Sequence, residues 1–192
     1  MSANNVPVDL ANGEAVSAYI KQKIRVFRNF PNPGANFSDV TSLLLDPVAF
    51  QVVIDALKRR YIDQRITHVV SCESRGFIFG APLALALQVA FVPVRRARRL
   101  PGDVVGLDYV SGFHTGRMEI HQDAITSGDR VVIIDDLVAS GKTLKVTVEL
   151  VEQLGGHVVE CGCVINSLQS TVRCGRTALH QPFCISMKLL TT

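Results

Sequence analysis

A chain of 192 residues with 47% hydrophobic and 19% charged content has the make-up of one domain with a sizeable core. Its formal net charge of +3 is too small to imply a nucleic-acid footprint, and no apolar stretch approaches the ~18 residues that cross a bilayer. Met1–Glu14 lacks a basic start followed by an apolar core, so no secretory signal is expected and the chain reads as cytoplasmic, with neither membrane nor nucleic acid as partner.

In chain order, Leu10, Val16, Ile20 and Ile24 recur at near-helical spacing and predict a helix over Val8–Ile24, with Asp9 as its cap. The stretch Phe27–Phe37, FRNFPNPGANF, holds two prolines and a glycine and reads as a loop. Asp46-Pro47 opens a second helix reaching Tyr61, because proline suits a first helical position. Strands and helices then alternate. Thr67–Cys72 reads as a strand, Gly76–Leu87 as a helix, Phe91–Arg95 and Val131–Ile134 as strands, Leu144–Leu154 as a helix closed by Gly155-Gly156, and His157–Ile165 as a strand. That alternation implies an α/β fold, a parallel central sheet flanked by helices, with ligands beyond the carboxyl ends of the strands. After Asn166 only a final strand, Cys184–Leu190, is expected.

Between Arg96 and His121 the alternation fails, leaving short apolar patterns at Val104–Leu107 and Met118–Ile120. An insertion this long in an α/β domain is more often a functional lid than a passive connector, a solvated hairpin being the alternative. Five cysteines, Cys72, Cys161, Cys163, Cys174 and Cys184, show no C-x-x-C pair and read as buried free thiols, not as zinc ligands or a disulfide framework.

The stretch Val131–Thr143, VVIIDDLVASGKT, runs four β-branched residues into two adjacent carboxylates and then a small-residue turn. A Walker A loop would need glycine where Asp136 stands, and a carboxylate in a phosphate nest repels, so that reading fails. A different arrangement avoids the conflict. Amides of Ala139 to Thr143 and the Thr143 hydroxyl can bind a monophosphate at the start of the following helix. Asp135 and Asp136 then face the attached sugar, where they can accept from vicinal hydroxyls and stabilise positive charge on the ring. Taken alone, an Asp-Asp pair reads rather as a strand-end charge at Asp135 and a helix cap at Asp136. The run RRARR, Arg95–Arg99, is on its own a solvated or nucleic-acid-binding basic stretch, although no aromatic platform accompanies it.

Those four apolar residues, two acids and turn ending in threonine resemble the phosphoribosyl pyrophosphate motif of the phosphoribosyltransferases. Three further stretches, FPNPGANFSDVTSLLLDP (Phe30–Pro47), ESRGFIFGAPLALAL (Glu73–Leu87) and VPVRRARRLPGD (Val92–Asp103), look like segments of the adenine phosphoribosyltransferase family in order and spacing. MEIHQDAI (Met118–Ile125) continues the match, so the resemblance spans Phe27 to Ile165.

The resemblance implies a type I phosphoribosyltransferase fold over residues 1–192, with a small N-terminal hood at about 25–45 and a flexible lid at about 96–121. It implies transfer of the phosphoribosyl group from phosphoribosyl pyrophosphate to adenine, giving AMP and pyrophosphate. Mg2+ would be held mainly by substrate oxygens, not by a protein metal site, and the assembly would be a homodimer. By the same resemblance Asp135 and Asp136 take the ribose, and Ala139, Ser140, Gly141, Lys142 and Thr143 the 5′-phosphate. Pyrophosphate falls to Glu73 and Ser74 through their backbone, and to Arg75, Arg95, Arg96 and Arg99. Asp135, Asp136, Arg75 and Arg95 form the catalytic set. Phe37 stacks on the base, and the backbone around Asn36 and Ser38 reads its edge.

Three departures stand out. Lys142 stands where the purine enzymes mostly have glycine, and Asn36 and Ser38 replace an apolar and a basic residue. Gly112-Phe113 stands where the adenine enzymes usually carry Glu-Tyr, so Glu119 and His121 become the nearby titratable groups, His121 the candidate proton relay. Transfer to hypoxanthine, guanine or xanthine, and a non-catalytic purine or phosphoribosyl pyrophosphate sensor, are the alternatives.

Overall fold

In the computed structural model, which describes residues 7–111, 114–166 and 183–187, the first helix is α1 (Gly13–Lys23). It starts later than the apolar spacing predicts, because Asn12 is the residue whose side chain accepts from the Glu14 and Ala15 amides. Asp9 instead accepts from the Ala11 amide in the turn before it. The expected loop over Phe27–Phe37 is also corrected. Strands β1 (Arg25–Arg28) and β2 (Asn36–Asp39) pair antiparallel with Phe27 opposite Phe37, and the prolines and Gly34, at φ +84°, occupy only the connection. A 3-10 turn (Val40–Leu45) leads to helix α2 (Pro47–Tyr61), where Asp46 caps the Val48 and Ala49 amides and Pro47 takes the first turn as expected.

The main sheet is built on β3 (His68–Cys72) and β4 (Ala90–Arg96), joined by helix α3 (Gly76–Leu87). The stretch expected as a lid forms an antiparallel hairpin, β5 (Val104–Ser111) with β6 (His114–His121), added to the edge of β4. The short alternations seen in sequence are its best-buried parts. Strand β7 (Arg130–Val138) pairs parallel with β3, helix α4 (Lys142–Gln153) follows, and β8 (His157–Asn166) and β9 (Phe183–Met187) extend the parallel part. The order is β5-β6-β4-β3-β7-β8-β9, a mixed sheet in which five parallel strands run from β4 to the edge at β9 and the antiparallel hairpin forms the other edge. The last three residues of the expected final strand, 188–190, lie outside the described residues, as does Cys174.

Because strand side chains alternate, the runs in β3 and β7 feed two cores at once. Val69, Val132 and Ile134 pack with α1, α2 and α3, while Val70, Val131 and Ile133 pack with α4 and the β5–β6 hairpin. Gly80 permits the tight seating of α3, since a Cβ there would overlap Ser71 Oγ. Cys72, Cys161 and Cys163 are buried and outside any disulfide, whereas Cys184, expected buried, is only half-buried on β9, the strand at which the described sheet ends. Among the described residues no helix is long and apolar enough to cross a membrane.

Candidate active site

At the carboxyl ends of β3 and β7 a cleft of about 260 Å³ is lined by Cys72–Arg75 from one strand end and by 135–141, Thr143 and Leu144 from the other. Strand β7 runs four residues further than the apolar pattern suggests, to Val138, so both acids lie within the strand and not beyond it. Asp136 is only 4% exposed. Burial, and then the neighbouring Asp136 charge, push the Asp135 carboxyl up to about 8, with Arg75 pulling the other way. Asp136 is raised too, again by burial, with Arg75 opposing. Arg75 Nε lies 2.8 Å from Asp136 Oδ2, yet that buried oxygen has no aligned hydrogen bond among the described residues. The cleft thus presents an under-satisfied acceptor, arranged for a donor that is not part of the fold.

Beside the acids, Gly141 adopts φ +70°, a conformation suited to glycine, and ends the turn from which α4 springs. No well-formed side-chain cap closes that helix; only a long 3.5 Å contact joins Ser140 Oγ to the Lys142 amide. The first-turn amides therefore remain available to an anion. Ala139, Ser140, Gly141 and Thr143 line the cleft, whereas the Lys142 side chain is exposed and outside its lining. Gly76, at the start of α3, closes the opposite wall: a Cβ there would stand 3.1 Å from both Asp135 Oδ1 and the Ile134 carbonyl.

Arg75 also joins the cleft to the β1–β2 hairpin, its guanidinium carbon 5.7 Å from the Phe37 ring centroid, while Phe30 meets Phe37 edge-on at 5.3 Å. The Asn36 and Ser38 side chains alternate to the other face of β2, so only their backbone accompanies the Phe37 face.

A second group gathers where β3 and β4 end side by side. Glu73 Oε2 accepts from Arg95 Nε at 3.0 Å and Oε1 from Arg99 at 2.8 Å, and Arg95 donates again to the Arg99 carbonyl at 2.8 Å. Burial alone would raise the Glu73 carboxyl, but the two arginines outweigh it and leave it below the usual range. Arg96 lines, together with Arg99, Tyr109 and Arg117, a separate depression of about 590 Å³. On β6, Glu119 accepts from the Arg98 amide at 2.8 Å and from Arg117 at 3.3 Å, and His121 Nε2 lies 2.9 Å from the Pro101 carbonyl. Both are engaged in holding the hairpin, and neither lines the acid cleft. Gly112 and Phe113 lie outside the described residues.

An acid pair, an amide-rich turn and a facing arginine in one cleft are the arrangement implied by the sequence resemblance, and comparison with known proteins decides the family. Residues 39–178 match the phosphoribosyl transferase domain. The chain is 48% identical over 148 residues to an adenine phosphoribosyltransferase of Cronobacter sakazakii, covering 77% of this chain and 81% of that protein. The chain belongs to the adenine phosphoribosyltransferases. The crystal structure of the Rhodothermus marinus adenine phosphoribosyltransferase, 40% identical, superposes with a TM-score of 0.79 over 91% of this chain and 99% of that one. That of the Saccharomyces cerevisiae enzyme, complexed with an imino-altritol bisphosphate and adenine, is 37% identical with a TM-score of 0.76, over 80% of this chain and 89% of that one.

In this member of the family, the structure brings together Asp135, Asp136, Arg75 and the 139–143 turn, and separately Arg95 and Arg99. None of Arg95, Arg96, Arg99 or the Lys142 side chain lines the acid cleft itself, and Arg96 and Arg99 line the adjoining depression. The contact missed in sequence is the Glu73 side chain. The signal for it is register: Cys72 pairs with Val94, so the next residues of the two strands, Glu73 and Arg95, emerge side by side.

Proposed function

We propose that this enzyme transfers the 5-phosphoribosyl group from phosphoribosyl pyrophosphate to adenine, forming AMP and pyrophosphate. The observation that carries the proposal is the single cleft in which the buried Asp136 and half-buried Asp135 face an uncapped helix start while Arg75 links Asp136 to Phe37. On this reading Asp135 and Asp136 accept from the ribose hydroxyls, and the amides of 139–143 with the Thr143 hydroxyl hold the 5′-phosphate. Arg75, Arg95 and Arg99, with the backbone at Glu73–Ser74, receive the departing pyrophosphate.

The bond from the anomeric carbon to the pyrophosphate oxygen breaks ahead of attack by the adenine ring nitrogen. Positive charge then develops on the sugar beside the two carboxylates, and inversion at that carbon follows. Phe37 supplies the stacking surface, with the β1–β2 hairpin as a hood at about 25–45 and the 96–121 hairpin as a lid. The proton lost from adenine passes to solvent.

Among the described residues no group of three or more His, Cys, Asp or Glu side chains is placed to hold a metal. On this reading magnesium is an ion carried mainly by the hard oxygens of the substrate, with Asp135 and the Arg75-paired Asp136 as carboxylates of the same cleft. When bound it would neutralise charge on the pyrophosphate. A homodimer acting in the cytoplasm completes the proposal; Leu85, 81% exposed on α3, is apolar surface that such an interface would cover.

The test is a panel of adenine, guanine, hypoxanthine and xanthine with phosphoribosyl pyrophosphate and magnesium, products separated by chromatography. AMP from adenine with little product from the 6-oxo bases is expected. Comparable turnover of hypoxanthine would overturn the base assignment, and no turnover of any base would favour a sensor.

A further inference from the structure

We infer that the Glu73 carboxylate is an internal counter-anion for the leaving group: it occupies the arginine pair that pyrophosphate must capture, and it takes the pair back when pyrophosphate leaves. The inference rests on the reading above that Arg95 and Arg99 receive pyrophosphate. Its basis is geometric. One carboxylate spends both oxygens on two different arginines, at 3.0 and 2.8 Å, and Glu73 itself is part of the cleft lining, so the pair is held beside the cleft, with Arg99 facing the adjoining depression. A carboxylate in an anion site repels the ligand unless it has a role in handling those cations. It is not a neutral acid tolerated there, because its arginines keep it ionised.

The exposures of the partners set the direction of exchange. The Glu73 side chain is 11% exposed and lies behind, whereas Arg99 is 54% and Arg95 34% exposed and lie in front. An incoming pyrophosphate therefore reaches the guanidinium groups from the solvent side, while Glu73 remains behind them as the returning partner. Arginine forks can serve two acceptors, so the exchange is graded: pyrophosphate draws the forks forward and loosens the bonds to Glu73. The consequence is a site that binds its leaving group less tightly than its arginines allow, and so releases it faster.

The experiment is calorimetric titration of magnesium pyrophosphate into wild type, Glu73→Gln and Glu73→Asp at two salt concentrations. Glutamine keeps the shape and removes the competing charge, so Glu73→Gln should bind pyrophosphate about threefold to tenfold more tightly, the size expected for losing two part-exposed ion pairs. Its affinity should fall more steeply with salt than that of wild type, while Glu73→Asp, which keeps the charge, should stay near wild type. Weaker binding by Glu73→Gln would overturn the inference and make Glu73 a strut that merely positions its arginines. If wild type binds no pyrophosphate at all, the assignment of the arginine pair fails instead. The wild-type protein gives an independent reading: in arginine-detected NMR the Arg95 Nε–H resonance should move on saturation with magnesium pyrophosphate, and an unmoved resonance would overturn the exchange.

Discussion

Asp135→Asn should change how stability depends on pH, and the size follows from the cleft. In the unfolded chain the Asp135 carboxyl titrates near its ordinary value of 3.8, whereas in the folded protein burial and Asp136 raise it to about 8. Between those values the folded protein keeps a proton that the unfolded chain has shed. The stabilisation is therefore complete below about 3.8, declines as pH rises through the window and is gone above about 8. One retained proton gives a slope of roughly 1.4 kcal/mol per pH unit, so wild type should lose about 3 kcal/mol from this pair between pH 5 and pH 7. The two carboxyls titrate as a unit, so the slope belongs to the pair. Asparagine has nothing to ionise and keeps the shape. Urea unfolding of wild type and Asp135→Asn at pH 5, 6 and 7, at constant ionic strength, isolates the contribution of the pair, because groups outside it contribute equally to both. The asparagine protein should show a flatter profile and a gain at pH 7. Parallel profiles would refute the reasoning and mean that water reaches the acids freely.

The same linkage predicts that magnesium phosphoribosyl pyrophosphate, whose ribose hydroxyls favour ionised acceptors, releases protons on binding at pH 7; calorimetry in two buffers of different ionisation enthalpy would show it, and buffer-independent heats would count against it. Phe37→Ala should raise the adenine KM by the equivalent of roughly 1–3 kcal/mol, with a smaller effect on the KM for phosphoribosyl pyrophosphate; equal effects would place Phe37 with Arg75 and not with the base. Gly80→Ala, whose new methyl overlaps Ser71 Oγ, should destabilise by about 1–3 kcal/mol in urea titrations. Lys142→Gln should weaken AMP binding by less than about 1 kcal/mol, the loss shrinking at high salt, because its exposed side chain acts on the phosphate only through solvent.

Much of this was legible without coordinates, for local reasons. Alternating apolar runs and the Asp46-Pro47 start determined the parallel strands and α2, since period and capping depend only on nearby residues. The contiguous Asp135–Thr143 stretch carried the ribose and phosphate half of the proposed site, because the end of β7 at Val138 and the start of α4 at Lys142 are only four residues apart and border one cleft. Other features depended on partners distant in sequence. Phe27 and Phe37 became strand residues only by pairing across a proline-rich connection, and the 104–121 segment became a hairpin by adding to the edge of β4. Whether the two acids were solvated strand ends or buried groups was settled by α3 seating its Gly76 against Asp135, which withdraws water and raises the pKa. Whether Glu73 met solvent or two arginines was settled by the register of β3 on β4. Local pattern decides which element a residue belongs to, but desolvation and ion pairing are sums over neighbours that only the packed chain brings together.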